Sequence, residues 1–495
     1  MENQSLENKP VLMEIGYDQG KFRGYSLAAF YGFIAAFAYL YAFGGELTEQ
    51  KLWACLVMFL GLVPFMLYFW GENLGRIPLF PLLGFYHAMA FGMPGLFPGI
   101  GGVSPQVLLP ALEASAFGLV ALLLGYYGAG PRLFPNAERF HLAFQPRPEE
   151  VVPFAWMFLV TDQILEPIPR PWGILAFAQQ VIPTFGWMAR AILLVNFLRD
   201  GDLRKKSNFF LIFVALPYEF LWRFSSGALG QVMILGFMVG IIFINYRKSV
   251  PFRLVFMAAV FFLLMQPIKA EFRELTWNRT GPKMSLSEKA DLYLKIAMDH
   301  YGKPDPVKKK GNPDAVERLG QVGLLAVVMN ESPATVPFKL GATYNSLFYK
   351  WIPRLIWAGK PKEALGNDLG HWYGIIAPDD EDTAVNLPWL VEFYVNFGWP
   401  GIGLGMFLLG VWFYYLSRKL CDERQGLMEY GVSMSLVFAI WWAECNFSMM
   451  WGGIIISLVA YIFFFWFLKH SPWAAGASPK PGLPGNLAGK EGHLG

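Results

Sequence analysis

Charged residues are scarce in this chain, and their scarcity excludes an ordinary soluble protein. Asp, Glu, Lys and Arg make up 16% of its 495 residues, whereas soluble globular domains contain about a quarter. Hydrophobic residues reach 55% and aromatic residues 17%. Because apolar runs recur along the whole length, we expect one all-α polytopic membrane protein and not several soluble domains.

Cysteine is rare as well. The chain has three, Cys55, Cys421 and Cys445, and each lies in or beside an apolar run. This placement argues against a disulfide framework and against a cysteine metal cluster. Residues 1–25 contain four acids and no apolar core with a cleavage site. They are therefore predicted to be a cytoplasmic tail and not a signal peptide.

Twelve apolar runs approach the length of a membrane helix, since crossing about 30 Å of hydrocarbon takes roughly 20 helical residues. Lys and Arg concentrate in the even-numbered connections between runs, an excess that marks cytoplasmic loops. Both termini are therefore predicted to be cytoplasmic, and the segment between the ninth and tenth runs to be exported, in a bacterium to the periplasm. The runs are 26–43, 52–70, 78–97, 107–128, 151–165, 172–198, 208–222, 228–246, 252–268, 399–416, 427–445 and 450–468.

This topology predicts five regions. They are a cytoplasmic tail (1–25), a nine-helix membrane region (26–268), a large periplasmic loop (269–396), a three-helix membrane region (397–468) and a disordered cytoplasmic tail (469–495). Within the loop, the apolar spacing predicts an amphipathic helix over 285–300, capped by Ser285 or Ser287. A second helical pattern covers 315–329. Residues 343–357, rich in aromatic side chains, are predicted to form an interfacial helix broken at Pro353.

Cations on the exported side suggest a site for an anion. Arg273, Arg279, Arg318 and Arg354 all lie there, and Lys360 follows Arg354 by six residues. A guanidinium is permanently charged, and its fork matches two phosphate oxygens, so these side chains suit a diphosphate held at the lipid surface. The alternative is that they anchor the protein at headgroups or form surface ion pairs.

A carboxylate and an imidazole could handle a proton beside these cations. Glu392 lies where the exported segment meets the membrane, and it would suit a general base that accepts a proton from a sugar hydroxyl. The alternative is a carboxylate that interacts with the dipole of the next helix. Tyr394 and Asn396 follow it as candidate substrate-binding residues. His371 is another candidate base, or a hydrogen-bond donor to phosphate.

Two further groups of charges have a less specific pattern. The acidic run 379–382 could resemble a metal site, but four consecutive acids are more typical of a solvated turn, so we expect no metal. Charges inside apolar runs are costly unless paired or facing a cavity. Glu219 and Arg223, four residues apart, are predicted to line the same exported site, with Arg223 binding substrate. Arg190, near the cytoplasmic end of its run, is predicted to snorkel.

The chain resembles the bacterial oligosaccharide repeat unit polymerases, the Wzy-type polymerases of O-antigen and exopolysaccharide. The detailed match covers about eighty residues, 333–416. Its motif residues are Pro353, Arg354, Trp357, Lys360, Pro361, Glu392, Phe393, Tyr394, Asn396, Phe397, Gly398, Gly401, Gly405 and Gly410.

The resemblance implies a GT-C-like glycosyltransferase of the bacterial inner membrane that needs no metal or other cofactor. It would transfer a glycan from undecaprenyl diphosphate onto another lipid-linked repeat unit, with a chain-length regulator and a flippase as possible protein partners and no nucleic acid. Arg354 and Lys360 would neutralise the diphosphate, and Glu392 would lie near the acceptor hydroxyl. Two alternatives stay open, an O-antigen ligase and a transporter or flippase of lipid-linked sugars.

Overall fold

The structure is a computed structural model that describes residues 23–28, 30–34, 48–71, 75–97, 103–142, 148–168, 173–227, 229–277, 284–302, 320–361, 363–381, 383–440 and 443–470. These residues form helices and turns and no β-strand. Several predictions lie outside them: most of the N-terminal tail, the end of the first apolar run, Arg279, Arg318 and nearly all of the C-terminal tail.

The helices follow the apolar runs closely. Residues 23–28 and 30–34 are helical, and each of the eleven predicted runs from 52–70 onward coincides with a helix over most of its length. We label the helices α1 Glu49–Trp70, α2 Leu79–Leu96, α3 Pro105–Leu133, α4 Pro148–Leu165, α5 Ile174–Asp200, α6 206–225, α7 Leu229–Arg247, α8 Phe252–Trp277, α9 Leu286–Tyr301, α10 Val322–Glu331, α11 Leu365–Trp372, α12 Trp389–Leu420, α13 Leu427–Ile440 and α14 Phe447–His470.

Seven helices in the described part of the chain are long and apolar enough to cross a membrane. They are α1, α2, α3, α5, the 230–247 part of α7, α12 and α14. Their length and composition confirm the prediction of a helical membrane protein. The helix α13, with 14 residues, is too short by itself to span about 30 Å of hydrocarbon at 1.5 Å per residue.

The main core forms where α1 packs against α2 and α3, where α3 meets α12 and where α5 meets α4 and α13. The contact between α3 and α12 is backbone to backbone. A Cβ atom on Gly410 would lie 2.2 Å from the carbonyl oxygen of Leu122. Small residues permit such close approach between membrane helices, where van der Waals packing and not water exclusion holds helices together. Gly410 of the sequence motif is therefore a packing residue.

Another motif glycine interrupts α12. Gly398 has φ 62° and ψ −145°, a backbone conformation that residues with a side chain rarely adopt. A Cβ atom there would also lie 2.8 Å from the Phe338 ring. Helix α12 therefore consists of a short first part, 389–397, and a long second part, 399–420. The helix begins at Trp389, inside the segment predicted to be the exported loop.

Between α8 and α12 lies what we call the large loop, residues 278–388. Its helix α9 begins with the predicted cap, because the Ser285 hydroxyl accepts from the Glu288 N–H while the Glu288 carboxylate accepts from the Ser285 N–H. The ring of Tyr293 stacks between Phe224 and Phe272, at centroid distances of 4.5 and 3.9 Å. These contacts tie α9 to α6 and α8.

The predicted interfacial helix over 343–357 is wrong in extent. The structure has a short 3-10 helix, Ala342–Phe348, followed by turns through residue 361. The backbone enters it through Gly341 at φ 91°. Two cationic side chains, described below, bond to the carbonyl groups of the turns, which leaves those groups satisfied without helical hydrogen bonds.

Candidate functional site

Glu392 is the centre of a buried hydrogen-bond network at the foot of the large loop. Its Oε1 atom accepts a hydrogen bond from the Thr343 hydroxyl at 2.8 Å, and its Oε2 atom accepts one from the Phe447 N–H at 2.7 Å. The Glu392 side chain has no solvent exposure. One carboxylate thus joins three separate parts of the chain: the large loop, the start of α12 and the start of α14.

Asn396 extends this network by one helical turn. It lies four residues after Glu392 and therefore on the same face of α12. Its side-chain amide donates to the Thr343 hydroxyl at 2.7 Å, and its amide oxygen accepts from the Gly341 N–H at 2.8 Å. The break at Gly398 leaves the last carbonyl groups of the short helix without helical partners. The Leu340 N–H donates to one of them, the Asn396 carbonyl oxygen, at 3.1 Å. We call Gly341, Thr343, Glu392, Asn396 and Phe447 the carboxylate network.

Glu363 is a second buried carboxylate beside the first. It accepts hydrogen bonds from Ser346 at 3.1 Å and Asn446 at 2.5 Å, and from Ser448 and the Lys350 ammonium. Burial alone would raise the pKa of Glu363, but the Lys350 charge and the neutral donors outweigh burial and lower it. Since residues 446–448 bind both carboxylates, the two acids fix the large loop to the same turn before α14.

Residues 350–361 form what we call the cationic turn. The Arg354 guanidinium donates to the carbonyl oxygens of Lys360 at 2.7 Å and Pro361 at 3.3 Å. The Lys360 ammonium donates to the carbonyl oxygens of Ile352 at 2.7 Å and Lys350 at 3.1 Å. Each cation thus holds the backbone that carries the other, so the pair is fixed in position within one compact turn.

The cationic turn keeps both charge and unused donors. A guanidinium has five N–H donors and an ammonium three, and each of these two side chains uses two of them on carbonyl groups. Both side chains are half-buried and reachable by solvent. Burial, then the charges of Arg354 and Lys350, lower the pKa of Lys360. Lys350 is neutralised by Glu363, so Arg354 and Lys360 are the cations available to an anion.

Several predicted site residues have their described contacts outside this turn. His371 is exposed on α11, and its Nε2 atom is 3.2 Å from the Asp380 carbonyl oxygen. Tyr394 is buried against Phe338. Arg273 donates to the Gly227 carbonyl oxygen at 2.9 Å and thereby joins α8 to the turn between α6 and α7. The contacts of Tyr394 and Arg273 suit structural roles more than a shared substrate site.

The described residues of the acidic run, 379–381, lie at a turn. The Asp380 carboxylate accepts from the Thr383 N–H at 2.8 Å, and the Asn367 amide binds the carbonyl oxygens of Asp380 and Thr383. Asp382 lies outside the described residues. Within the described ranges, no group of three or more His, Cys, Asp or Glu side chains could hold a metal ion.

Arg223 belongs to a different cluster, which we call the ion chain: Asp162, Arg190, Glu219, Arg223 and Glu166. Arg190 donates to Asp162 at 2.6 Å and to Glu219 at 2.7 Å. Arg223 donates to the other Glu219 oxygen at 2.8 Å, with Glu166 at 4.0 Å. The predicted snorkelling of Arg190 is wrong, because its side chain is fully buried between α4 and α6. Pairing is what makes these charges tolerable inside a helical bundle.

The sequence interpretation missed Glu363, Thr343 and Asn446. Glu363 stands alone in sequence, after the Lys360-Pro361 motif, and its partners Asn446 and Ser448 are more than eighty residues away. No local spacing could have indicated these contacts. Thr343 gave a weak sequence signal of a buried polar contact, because it is a polar residue in an aromatic stretch that would otherwise suit a membrane interface.

These features define a polytopic helical membrane protein in which a polar network fixes a cationic turn beside the start of a membrane helix. A family model described as a domain of unknown function (DUF8712) matches residues 152–473, which include the ion chain, the cationic turn and both buried carboxylates. The chain belongs to this family. No curated protein and no solved structure matches it.

Proposed function

We propose that this protein polymerises undecaprenyl-diphosphate-linked oligosaccharide repeat units at the periplasmic face of the bacterial inner membrane. The observation that carries the proposal is the cationic turn, in which Arg354 and Lys360 are fixed by carbonyl groups and retain donors for a diphosphate. Its Lys350 side chain packs against Gly452 of α14, a helix long enough to cross the membrane. A twelve-span topology, cytoplasmic termini and a GT-C-like arrangement belong to the same proposal.

In the proposed reaction the acceptor hydroxyl oxygen attacks the anomeric carbon of the donor glycan. The bond between that carbon and the diphosphate oxygen breaks, and undecaprenyl diphosphate leaves with the electron pair. Negative charge grows on the departing oxygen, where fixed cations are most effective because they need no reorganisation. We assign this stabilisation to Arg354 and Lys360.

The buried carboxylates take a different role from the one expected of Glu392. Both Glu392 oxygens already accept hydrogen bonds, and the side chain has no exposure. A general base must reach the proton that it removes. We therefore assign Glu392 and Glu363 as positioning residues, and His371, whose imidazole is exposed on the same loop, as the candidate base for the acceptor proton.

Purified protein in lipid vesicles, supplied with a synthetic lipid-linked repeat unit and a chelator but no nucleotide sugar, tests the proposal. A ladder of longer lipid-linked glycans is the expected product, and Arg354→Ala should reduce its formation at least about 100-fold. Arg132→Ala is a matched control, because Arg132 also donates to a backbone carbonyl, at 2.7 Å, but on α3. No elongation by the folded wild-type protein would overturn the proposal.

The same experiment separates the two alternatives. A ligase would leave the repeat unit unextended until lipid A core is added, and would then attach it to that acceptor. A transporter would move the lipid-linked sugar between leaflets without lengthening it. Transporters place polar groups along a midplane path through broken helices, and the ion chain is the feature here that such a path would use.

A further inference from the structure

Large apolar side chains are exposed along the segment that contains the cationic turn. They are 40% to 80% exposed, although the segment is not part of a membrane-spanning helix. We call this set the apolar rim: Leu340, Phe348, Trp351, Leu355, Ile356 and Trp357. An exposed apolar group of this size on a soluble surface would be unusual and would mark an interaction site.

The apolar rim continues the apolar outer face of α12. The Leu340 N–H binds the carbonyl oxygen of Asn396, so the rim begins directly beside the exposed rings of Phe397 and Trp399. Farther along α12, Leu404 and Leu408 are 63% and 54% exposed at a spacing of four residues, which puts them on one face. A helix of this composition presents such a face to lipid.

The charge of the same segment is of one sign. Residues 340–361 contain Lys350, Arg354 and Lys360 and no Asp or Glu. Aromatic rings and basic side chains together favour the headgroup level of a membrane, and basic residues are attracted to anionic lipids. Glu363, which neutralises Lys350, is buried against residues 446–448.

We propose that residues 348–357 insert into the headgroup region of the leaflet beside α12, with Phe348, Leu355 and Ile356 reaching the acyl chains and the cations facing anionic headgroups. This partner is the bilayer itself, and the contact does not depend on catalysis. If the proposed function also holds, the insertion would let a lipid-linked diphosphate reach Arg354 sideways from the leaflet without leaving it.

A fluorescent label at position 356 tests this contact. In a Cys445→Ser background the other two cysteines are buried, so Ile356→Cys can be labelled with an environment-sensitive dye and the protein reconstituted into phosphatidylcholine vesicles. We expect blue-shifted emission, quenching by a nitroxide on the acyl chain and protection from aqueous iodide. Adding phosphatidylglycerol should increase the quenching by the nitroxide.

Ile375→Cys is the matched control, because Ile375 is another exposed isoleucine on the large loop, beside the acidic turn. Its label should be quenched by iodide and not by the nitroxide. The proposal would be overturned if iodide quenched the labels at positions 356 and 375 equally. It would also be overturned if the nitroxide quenched the two labels equally. The measurement uses no substrate, so its failure is distinguishable from failure of polymerisation.

Discussion

Replacing Glu392 with glutamine is expected to loosen the large loop from the helical core. The carboxylate accepts one hydrogen bond from Thr343 and one from the Phe447 N–H, and the Glu392 side chain is fully buried. Glutamine has one acceptor oxygen and an amide NH2 group that can only donate, so one donor of the network loses its partner. Leaving a buried polar group unsatisfied costs about 1–3 kcal/mol.

Cys445 provides a reporter of this loosening, because it lies two residues before Phe447. Burial, followed by the nearby Glu392 charge, raises the pKa of its thiol to about 12, so maleimide should modify it slowly in the wild-type protein. If modification requires the loop to open, destabilising the closed loop by about 1–3 kcal/mol should raise the rate of modification about 5- to 150-fold. Mass spectrometry of labelled peptides assigns the modification to Cys445.

A variant that leaves the Glu392 charge in place separates loosening of the loop from the electrostatic effect on the thiol. Glu392→Gln also removes a negative charge near the thiol, which by itself would raise reactivity. Thr343→Val keeps that charge but removes the hydroxyl that links Glu392 to Asn396, so it should also increase the rate. The exposed acid Glu381 supplies the control Glu381→Gln, which should leave the rate unchanged. Wild-type rates in both network variants would refute the holding role of the carboxylate network.

Four other predictions concern the two cations, the kink and the ion chain. Arg354→Ala should reduce elongation at least about 100-fold, the usual effect of losing one stabilising donor. Arg354→Lys should lose less elongation activity, because the positive charge remains. The product ladders of the two variants measure both effects. The pKa of Lys360 is lowered, so its charge is present at low pH and is lost as the pH rises through a value below the pKa of an ordinary lysine. Elongation by the wild-type protein should fall in that pH range. Elongation by Lys360→Arg, which stays charged, should persist there. Gly398→Ala should reduce thermal stability in detergent by about 1–3 kcal/mol, because its backbone conformation is strained for alanine. Asp162→Ala should cost about 3–5 kcal/mol by leaving Arg190 half-paired, and the double variant with Arg190→Leu should cost less than the sum of the two single changes.

The helices and some of their ends were predictable because their determinants are local. Each apolar run from 52–70 onward lies on a helix, and the Ser285 cap was recognisable from the polar residue before an apolar pattern. The interfacial helix over 343–357 failed for a physical reason. Aromatic side chains at helical spacing suit a membrane surface in several backbone conformations, and here Gly341 and the carbonyl-binding cations select turns.

The site was predictable only in part, since its contacts join distant parts of the chain. Arg354, Lys360, Glu392 and Asn396 do lie in one region, as the motif suggested. The roles of these residues could not be predicted from the sequence. The position of Glu392 in the motif does not show that Thr343 and the start of α14 donate hydrogen bonds to both of its oxygens. The same holds for Arg190, which lies 28 and 29 residues from its partners Asp162 and Glu219.

The ion chain also constrains how the protein can be built into a membrane. Arg190 lies on α5, one of the seven helices long and apolar enough to cross a membrane. A lone charge at the bilayer centre is unfavourable by about 2.5–3.5 kcal/mol on insertion scales. Helix α5 should therefore enter lipid more readily together with α4 and α6, which supply the Asp162 and Glu219 carboxylates, than by itself.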